Sequence, residues 1–325
     1  MFSLDGYRAL RHGAGIVQRS DRGVLSVSGT DRLTWLQGLL TNDVLALPVG
    51  GVCDAAYLTP QGRMISDMRV VNAADRVLLD VPAALAASLR TKLDGLLFAE
   101  DAAIDDESEQ LALIEAHGPL VTAIAGEAMS AIGAGAAAMV FDRPLGVPSV
   151  SIFAGRDAAA AIVARFAASG IPEVSLETVN VLRVEAGRPA FLVDMDEHTI
   201  PLEAGLEDRA ISFTKGCYVG QEVIVRVMHR GQGRVAKKLV GLLLEGGDPP
   251  AAGSSITAAD RDIGRVTSAV WSPTLGRTIA LGYVHRDFLA PGTSLTVSSP
   301  AGQIAGTVTP LPFVPAVTTE PSPPQ

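Results

Sequence analysis

The chain has 325 residues, of which 48% are apolar and only 5% aromatic, and it carries a net charge of −9. That length allows two or three packing units with cores of small and branched side chains, and the acidic balance argues against a nucleic-acid surface, which needs clustered Lys and Arg. No apolar run approaches the roughly 20 residues that span a bilayer, the start Met1-Phe2-Ser3-Leu4-Asp5-Gly6 has no basic or apolar signal region, and two distant cysteines, Cys53 and Cys217, form no disulfide framework, so a cytoplasmic location without membrane partners is expected.

Residues 24–28 predict a short strand, and residues 31–40 a helix with Leu33, Leu36 and Leu40 on one face and Ser28 or Thr30 as cap. Residues 55–58 and 64–71 predict strands around the turn Pro60-Gln61-Gly62, and residues 77–81 a further strand. Pro82 opens an amphipathic helix carrying Leu85, Leu89, Leu93, Leu96 and Leu97. The run Glu100, Asp101, Asp105, Asp106, Glu107, Glu109 reads as a solvated loop or edge, with a docking surface as the alternative.

A second series follows. Residues 111–116 and 149–154 predict strands, with a turn into a short helix after His117-Gly118-Pro119. Residues 157–169 predict an alanine-rich helix ended by Gly170, and Ser175 starts another that Gly187-Arg188-Pro189 stops. Gly133-x-Gly135-x-x-Ala138 superficially matches a dinucleotide fingerprint, but no strand precedes it, and a small-residue loop is expected. Alternating strands and helices without a long buried parallel run indicate α+β subdomains. From about Arg234 onward, residues 238–245, 263–271, 278–284, 295–297 and 303–308 predict strands uninterrupted by helix, a small all-β module of barrel type. The tail 315–325, rich in Pro, Ser and Thr, is expected to be disordered.

Local metal signatures are absent: His12, His117, His198, His229 and His285 are scattered, no Cys-x-x-Cys occurs, and two cysteines cannot supply a four-thiolate iron–sulfur set. There is no P-loop, and Cys217 with His229 lacks a protease signature.

The most specific stretch is Lys215-Gly216-Cys217-Tyr218-Val219-Gly220-Gln221-Glu222, followed by Arg226 and Arg230-Gly231. Lysine beside a thiol lowers its pKa, and glycines allow the tight turns that expose it; a free buried cysteine is the plainer alternative. Gln221 and Glu222 are candidates to hold Tyr218, the loop backbone or a partner. Six cations between Lys215 and Lys238 face one acid, Glu222, a field suited to a small anionic ligand.

This stretch resembles the signature Lys-Gly-Cys-Tyr-x-Gly-Gln-Glu of the YgfZ proteins, folate-binding relatives of the glycine-cleavage T-protein (aminomethyltransferase). The segments from Gly29 to Val44, from Thr59 to Asp67, from Leu182 to Gly187 and from Pro201 to Leu206 also resemble that family, so the likeness covers nearly the whole chain. The resemblance implies two interleaved α+β subdomains around a central cavity within residues 1–236, a C-terminal β-barrel over 237–314, and tetrahydrofolate as ligand. It implies Glu203 as the carboxylate that accepts the ring N–H and exocyclic amine of the pteridine, and Asp67 as the acid beside the reacting nitrogens. It implies Arg226 and Arg230 as receivers of the tail carboxylates, and Cys217, Lys215, Tyr218, Gln221 and Glu222 as the working group. An exposed acid for Glu203 and ordinary surface charge for the arginines are the plainer readings. The function implied is assistance to the synthesis or repair of iron–sulfur clusters in client proteins; the alternative is a tetrahydrofolate-dependent aminomethyltransferase. A scaffold without ligand is a third reading.

Overall fold

The computed structural model describes residues 1–122, 136–142, 144–229, 231, 233–300 and 302–316. The chain begins with helix α1 (Leu4–His12), capped by Ser3, whose hydroxyl accepts from Gly6 N at 3.2 Å. Strand β1 (Gly15–Gln18) leaves α1 and joins a sheet completed much later in the chain, in the order β1-β7-β9-β8, with β7 (Leu111–His117), β8 (Ala136–Asp142) and β9 (Ser149–Gly155). A second sheet, β3-β4-β5-β2-β6, holds β2 (Arg22–Ser28), β3 (Val52–Leu58), β4 (Met64–Asn72), β5 (Val77–Pro82) and β6 (Ala103–Asp106). Both sheets are antiparallel throughout. Because β1 belongs to the sheet of β7–β9, the two α+β units are interleaved in sequence.

The first sheet packs α4 (Arg156–Ala168) through Ala159, Ile162 and Phe166, all buried. The second packs α2 (Arg32–Leu39) and α3 (Ala86–Asp94), where Trp35, Leu36, Leu89 and Leu93 meet Leu25, Val70 and Leu79. Helix α5 (Leu176–Glu185) starts at Ser175, whose hydroxyl caps Thr178 N. It ends at Gly187, whose φ of +65° and close approach to Leu311 admit no other residue easily. Short helix α6 (Glu207–Ala210) and α7 (Gln221–His229) complete this part.

Six strands then close a barrel in the order β10-β13-β12-β11-β14-β15: β10 (Lys237–Leu244), β11 (Ser255–Ala258), β12 (Arg261–Ser272), β13 (Arg277–His285), β14 (Ser294–Ser299) and β15 (Gly302–Thr309). Its interior is aliphatic, with Leu242, Ile256, Val266, Val284 and Val297 fully buried. Among the described residues no helix is long and apolar enough to cross a membrane.

Several expectations change. Helix α2 is capped by neither Ser28 nor Thr30; Asp31 holds the cap position without a side-chain bond, and Thr30 instead bonds Asp101. The acidic run is partly an edge strand, β6, whose register on β2 pairs Ile104 with Val27. Of the expected loop Gly133–Ala138, residues 136–138 belong to β8, and the remainder lies outside the described residues, as do most of the tail 315–325 and Arg230. Helices α1 and α7 and strands β1 and β11 are further short elements, of four to nine residues, that are not among the expected ones.

One buried network joins these parts. Glu185, fully buried at the end of α5, accepts from Tyr7 Oη at 2.8 Å, from Arg11 of α1 and from Ser272 of β12. Arg11 is itself 6% exposed. Removing one member of a buried ion pair strands the other charge. Arg11→Met should therefore lower unfolding stability by about 3–5 kcal/mol, read as a shift in the urea midpoint at neutral pH.

Candidate functional site

A chamber of about 130 Å³ opens between the two sheets. Its walls come from β3 (Asp54, Ala55), β4 (Asp67, Met68, Arg69), β5 (Asp80) and β7 (Glu115), from Arg19 and Arg22 around the start of β2, from residues 183 and 188–190, and from residues 206, 209 and 210 of the α6 region. Six arginines face four carboxylates there. The chamber continues outward into a groove of about 510 Å³ that shares Arg19, Arg22 and Arg183 but is otherwise largely apolar, with Leu176, Val179, Phe191, Leu192 and Val193.

Most of these charges are paired. Arg19 donates to Glu115 at 2.7 Å and to Asp21 at 2.9 Å; Arg22 bonds Asp80 at 2.5 Å; Arg69 reaches Glu115 at 3.3 Å and Ser151 at 2.9 Å. Arg183 bonds Asp194 at 2.5 Å and Ser268 of the barrel at 2.8 Å, and Arg188 bonds Asp54 at 2.7 Å. Glu115 also lies 3.1 Å from Nε2 of the fully buried His117. Burial pushes the Glu115 carboxyl up, but Arg19, His117 and Arg69 together outweigh it and hold it well below the usual range.

Asp67 and Arg209 differ from the rest. The nearest cation to Asp67 is Arg22 at 3.9 Å, beyond hydrogen-bond reach, and buried Oδ1 has no hydrogen-bond partner among the described residues. Burial raises its carboxyl above the ordinary value; Arg22 opposes this, while Asp80 and Asp54 add to it. The Arg209 guanidinium makes no hydrogen bond or ion pair among the described residues.

The eight-residue stretch forms a loop running into α7, outside the chamber wall. Lys215 spends its three donors on main-chain carbonyls at the end of α2: Gln37 at 2.6 Å, Leu40 at 2.6 Å and Asn42 at 3.0 Å. A cation placed there meets the negative end of the helix and three orphan carbonyls at once. The three Lys215 donors are thus spent on the end of α2, while its charge stays two residues from Cys217 in sequence. Burial pulls the Lys215 amine down to about 8. Its ammonium also lies 5.1 Å from the ring centre of Tyr218, a buried core residue whose phenol burial pushes up to about 12. The Cys217 thiol is exposed. Cys53 is half-buried, and burial pushes its thiol up to about 12.

Gly220 explains one fixed glycine. Its φ is +82°, and a Cβ there would come 2.5 Å from Thr59 O and 3.2 Å from Gly62 Cα. Gly62, with φ of +73°, faces Val223 of α7 equally closely. The turn between β3 and β4 and the start of α7 therefore interlock. Gln221 is half-buried at the start of that helix, and Glu222 and Arg226 are exposed.

The carboxylate of Glu203 accepts from Ile200 N at 3.3 Å, closing the short turn Pro201–Ala204; it is 8% exposed and does not line the chamber. Asp67 is thus the one predicted ligand-facing carboxylate on the chamber wall. Arg226 stands on α7, apart from the wall, and the cations that line the chamber were not foreseen. The basic stretch 215–238 is no single field: besides Lys215, Lys238 pairs with Glu207 at 2.8 Å and Lys237 lies 4.8 Å from the ring centre of Tyr283. Among the described residues no three His, Cys, Asp or Glu side chains group as a metal site.

Residues 2–143 match the family model of the GCVT N-terminal domain, and residues 237–315 that of the glycine cleavage T-protein C-terminal barrel domain. The aminomethyltransferase of Chlorobium chlorochromatii is 30% identical over 95% of this chain and 89% of its own length. The chain belongs to the glycine-cleavage T-protein family. An aminomethyltransferase of Rubrobacter xylanophilus is 31% identical over 94% of the chain and 85% of its own. The fold follows the glycine cleavage system aminomethyltransferase T of Bartonella henselae with a TM-score of 0.85, at 22% identity, over 96% of this chain and 90% of that one. The T-protein-like α+β fold with a closed C-terminal barrel is therefore established. The family's two matched segments carry the chamber walls of β2–β5 and β7 on one side and the barrel that receives Arg183 on the other.

Two outcomes follow from this geometry. Glu115 has a depressed carboxyl in the fold, so its contribution is full above the unfolded value of about 4.3 and is lost as pH falls through its lower folded value. Native protein should lose stability steeply below about pH 4, and Glu115→Gln should be less stable at neutral pH yet show a shallower acid slope in pH-resolved denaturation. Gly220→Ala should lower the melting temperature by several degrees, on the order of 1–3 kcal/mol, because backbone and not a flexible side chain blocks the added methyl.

Proposed function

We propose that the chamber binds the head of tetrahydrofolate and that the protein is a tetrahydrofolate-dependent aminomethyltransferase. The observation that carries this is Asp67: a carboxylate with an unpartnered oxygen, on the wall of the central chamber of a T-protein fold. The similarity to aminomethyltransferases over nearly the full chain supports the same reading.

The residues fit a reduced pterin. A chamber of about 130 Å³ is small beside the roughly 300–1,000 Å³ of sites that enclose a whole drug-sized ligand, so it suits a head group, with the apolar groove of about 510 Å³ for the rest of the molecule. When bound, tetrahydrofolate would supply nucleophilic ring nitrogens to the carbon of the aminomethyl group, whose C–N and C–S bonds break to release ammonia and the carrier thiol. Asp67 is the group on this chain that can hold a proton near those nitrogens: burial already favours its protonated form. The paired arginines keep the chamber's shape and spend no binding capacity on it. Arg19, Arg22 and Arg183, at the junction with the groove, fix its mouth.

A second reading rests on the exposed Cys217 thiol inside the Lys215–Glu222 stretch. Its chemistry would lie at the surface, and the protein would be a YgfZ-type folate-binding accessory for iron–sulfur clusters in client proteins. Tyr218, Gln221 and Glu222 then hold the loop that presents the thiol. Chamber and thiol are separate places, so one experiment divides the readings.

Purified protein is assayed with aminomethyl-loaded lipoyl carrier protein and tetrahydrofolate. The transferase reading expects methylenetetrahydrofolate and ammonia, a loss of about 10²-fold or more in Asp67→Asn, and no change in Cys217→Ala. Tetrahydrofolate binding without turnover, together with failure of Cys217→Ala to restore cluster-enzyme activity in a deletion strain, would replace it with the accessory reading.

A further inference from the structure

Arg209 lies outside both segments that the family models match and outside the expectations drawn from the sequence, yet it is the least satisfied cation of the chamber among the described residues. The other five arginines there each hold a carboxylate. Arg209 holds none among the described residues, although it lies in the field of Asp54, Asp67 and Glu207 as well as of Arg188. Burial and Arg188 pull it down to about 10, so at neutral pH it remains a charged donor with no protein acceptor among the described residues. Its main chain is not loose. Its carbonyl accepts from Asn42 Nδ2 at 3.0 Å, and the neighbouring Ala210 carbonyl accepts from Thr41 Oγ1 at 2.6 Å. A guanidinium held on a pinned backbone and left bare is a recognition element awaiting an acceptor.

The position of Arg209 says which part of a ligand it meets. It lines the inner chamber and not the outer groove. An elongated folate with its head inside places its tail carboxylates in the groove, away from Arg209. The edge of a pterin head presents an exocyclic amine, a ring N–H and then a ring carbonyl. Carboxylates of the chamber can accept from the first two; the carbonyl needs a donor, and Arg209 is the donor still free.

We propose that Arg209 donates to the ring carbonyl of the bound pterin and so selects carbonyl-bearing head groups over those with an amine in that place. This rests on the folate reading above and adds the residue that reads the head group. A site built around a donor rejects a ligand that offers it another donor far more strongly than it rejects a small change in size.

The test is calorimetric titration of native protein, Arg209→Met and Arg209→Lys with two probes: tetrahydrofolate, and tetrahydroaminopterin, in which an amine replaces the ring carbonyl. Native protein should prefer tetrahydrofolate by about tenfold or more. Arg209→Met should lose about tenfold in affinity for tetrahydrofolate and little for the amino analogue, so that the preference collapses. A purely structural role would weaken both ligands together. Arg209→Lys, which keeps the charge and one donor direction, should retain an intermediate preference and supplies the same ratio if the methionine variant does not fold. An unchanged preference in the variants overturns the role of Arg209 and leaves the folate reading standing. Failure of native protein to bind either probe overturns the folate reading itself, and this inference with it.

Discussion

Everything at the centre of this molecule depends on how six guanidinium groups are kept between two sheets. Taking an ion out of water costs several kcal/mol even after relaxation. A chamber lined by Arg19, Arg22, Arg69, Arg183, Arg188 and Arg209 would collapse or flood without matching carboxylates. Glu115, Asp80, Asp194 and Asp54 supply the match, each on a different element, so the ion pairs also tie β7, β5, the barrel contact and β3 to one another. The result is a polar space whose walls are rigid because breaking any one pair strands a buried charge. Rigidity of that kind is what a site needs to hold a small ring in one orientation.

The same logic makes the exceptions informative. In a lattice where most charges are satisfied, a carboxylate oxygen without a hydrogen bond and a guanidinium without a carboxylate stand out among the described residues, and each lies in the field of the other. Leaving them unpaired lowers stability, and such costs are characteristic of sites that exchange stability for binding. The stable part of the lattice and the reactive part are therefore distinguished by hydrogen-bond accounting alone.

The elements of the fold were largely legible in the sequence: the leucine spacing of α3, the strands on either side of Pro60-Gln61-Gly62, the Ser175 cap and the uninterrupted short strands of the barrel all follow local periodicity and turn chemistry. The site was less so, for a physical reason. Chamber residues come from separated stretches scattered between Arg19 and Ala210, and no window of sequence shows that Arg19 will meet Glu115 or that Arg188 will meet Asp54. Asp67 and Glu203 were both visible only through the family resemblance; Asp67 lines the chamber, whereas Glu203 accepts from Ile200 N at 3.3 Å and does not line it. The basic stretch after Lys215 looked like one field because charge was counted along the chain, whereas Lys215, Lys237 and Lys238 point to three different partners.

The Lys215–Glu222 stretch shows how a specific word in a sequence can serve architecture and chemistry together. Lys215 seals the end of α2, Tyr218 is core, and Gly220 lets the turn of β3–β4 close on α7. These three positions account for their residue types without any ligand. Their effect is nonetheless directed: Lys215 fixes residues 37–42, Asn42 and Thr41 fix the backbone of Arg209 and Ala210, and those two residues form chamber wall. A chain of side-chain to main-chain hydrogen bonds thus runs from the loop that exposes Cys217 to the wall that carries Arg209. The thiol itself is exposed and this scaffolding does not require it, so its presence asks for a chemical reason.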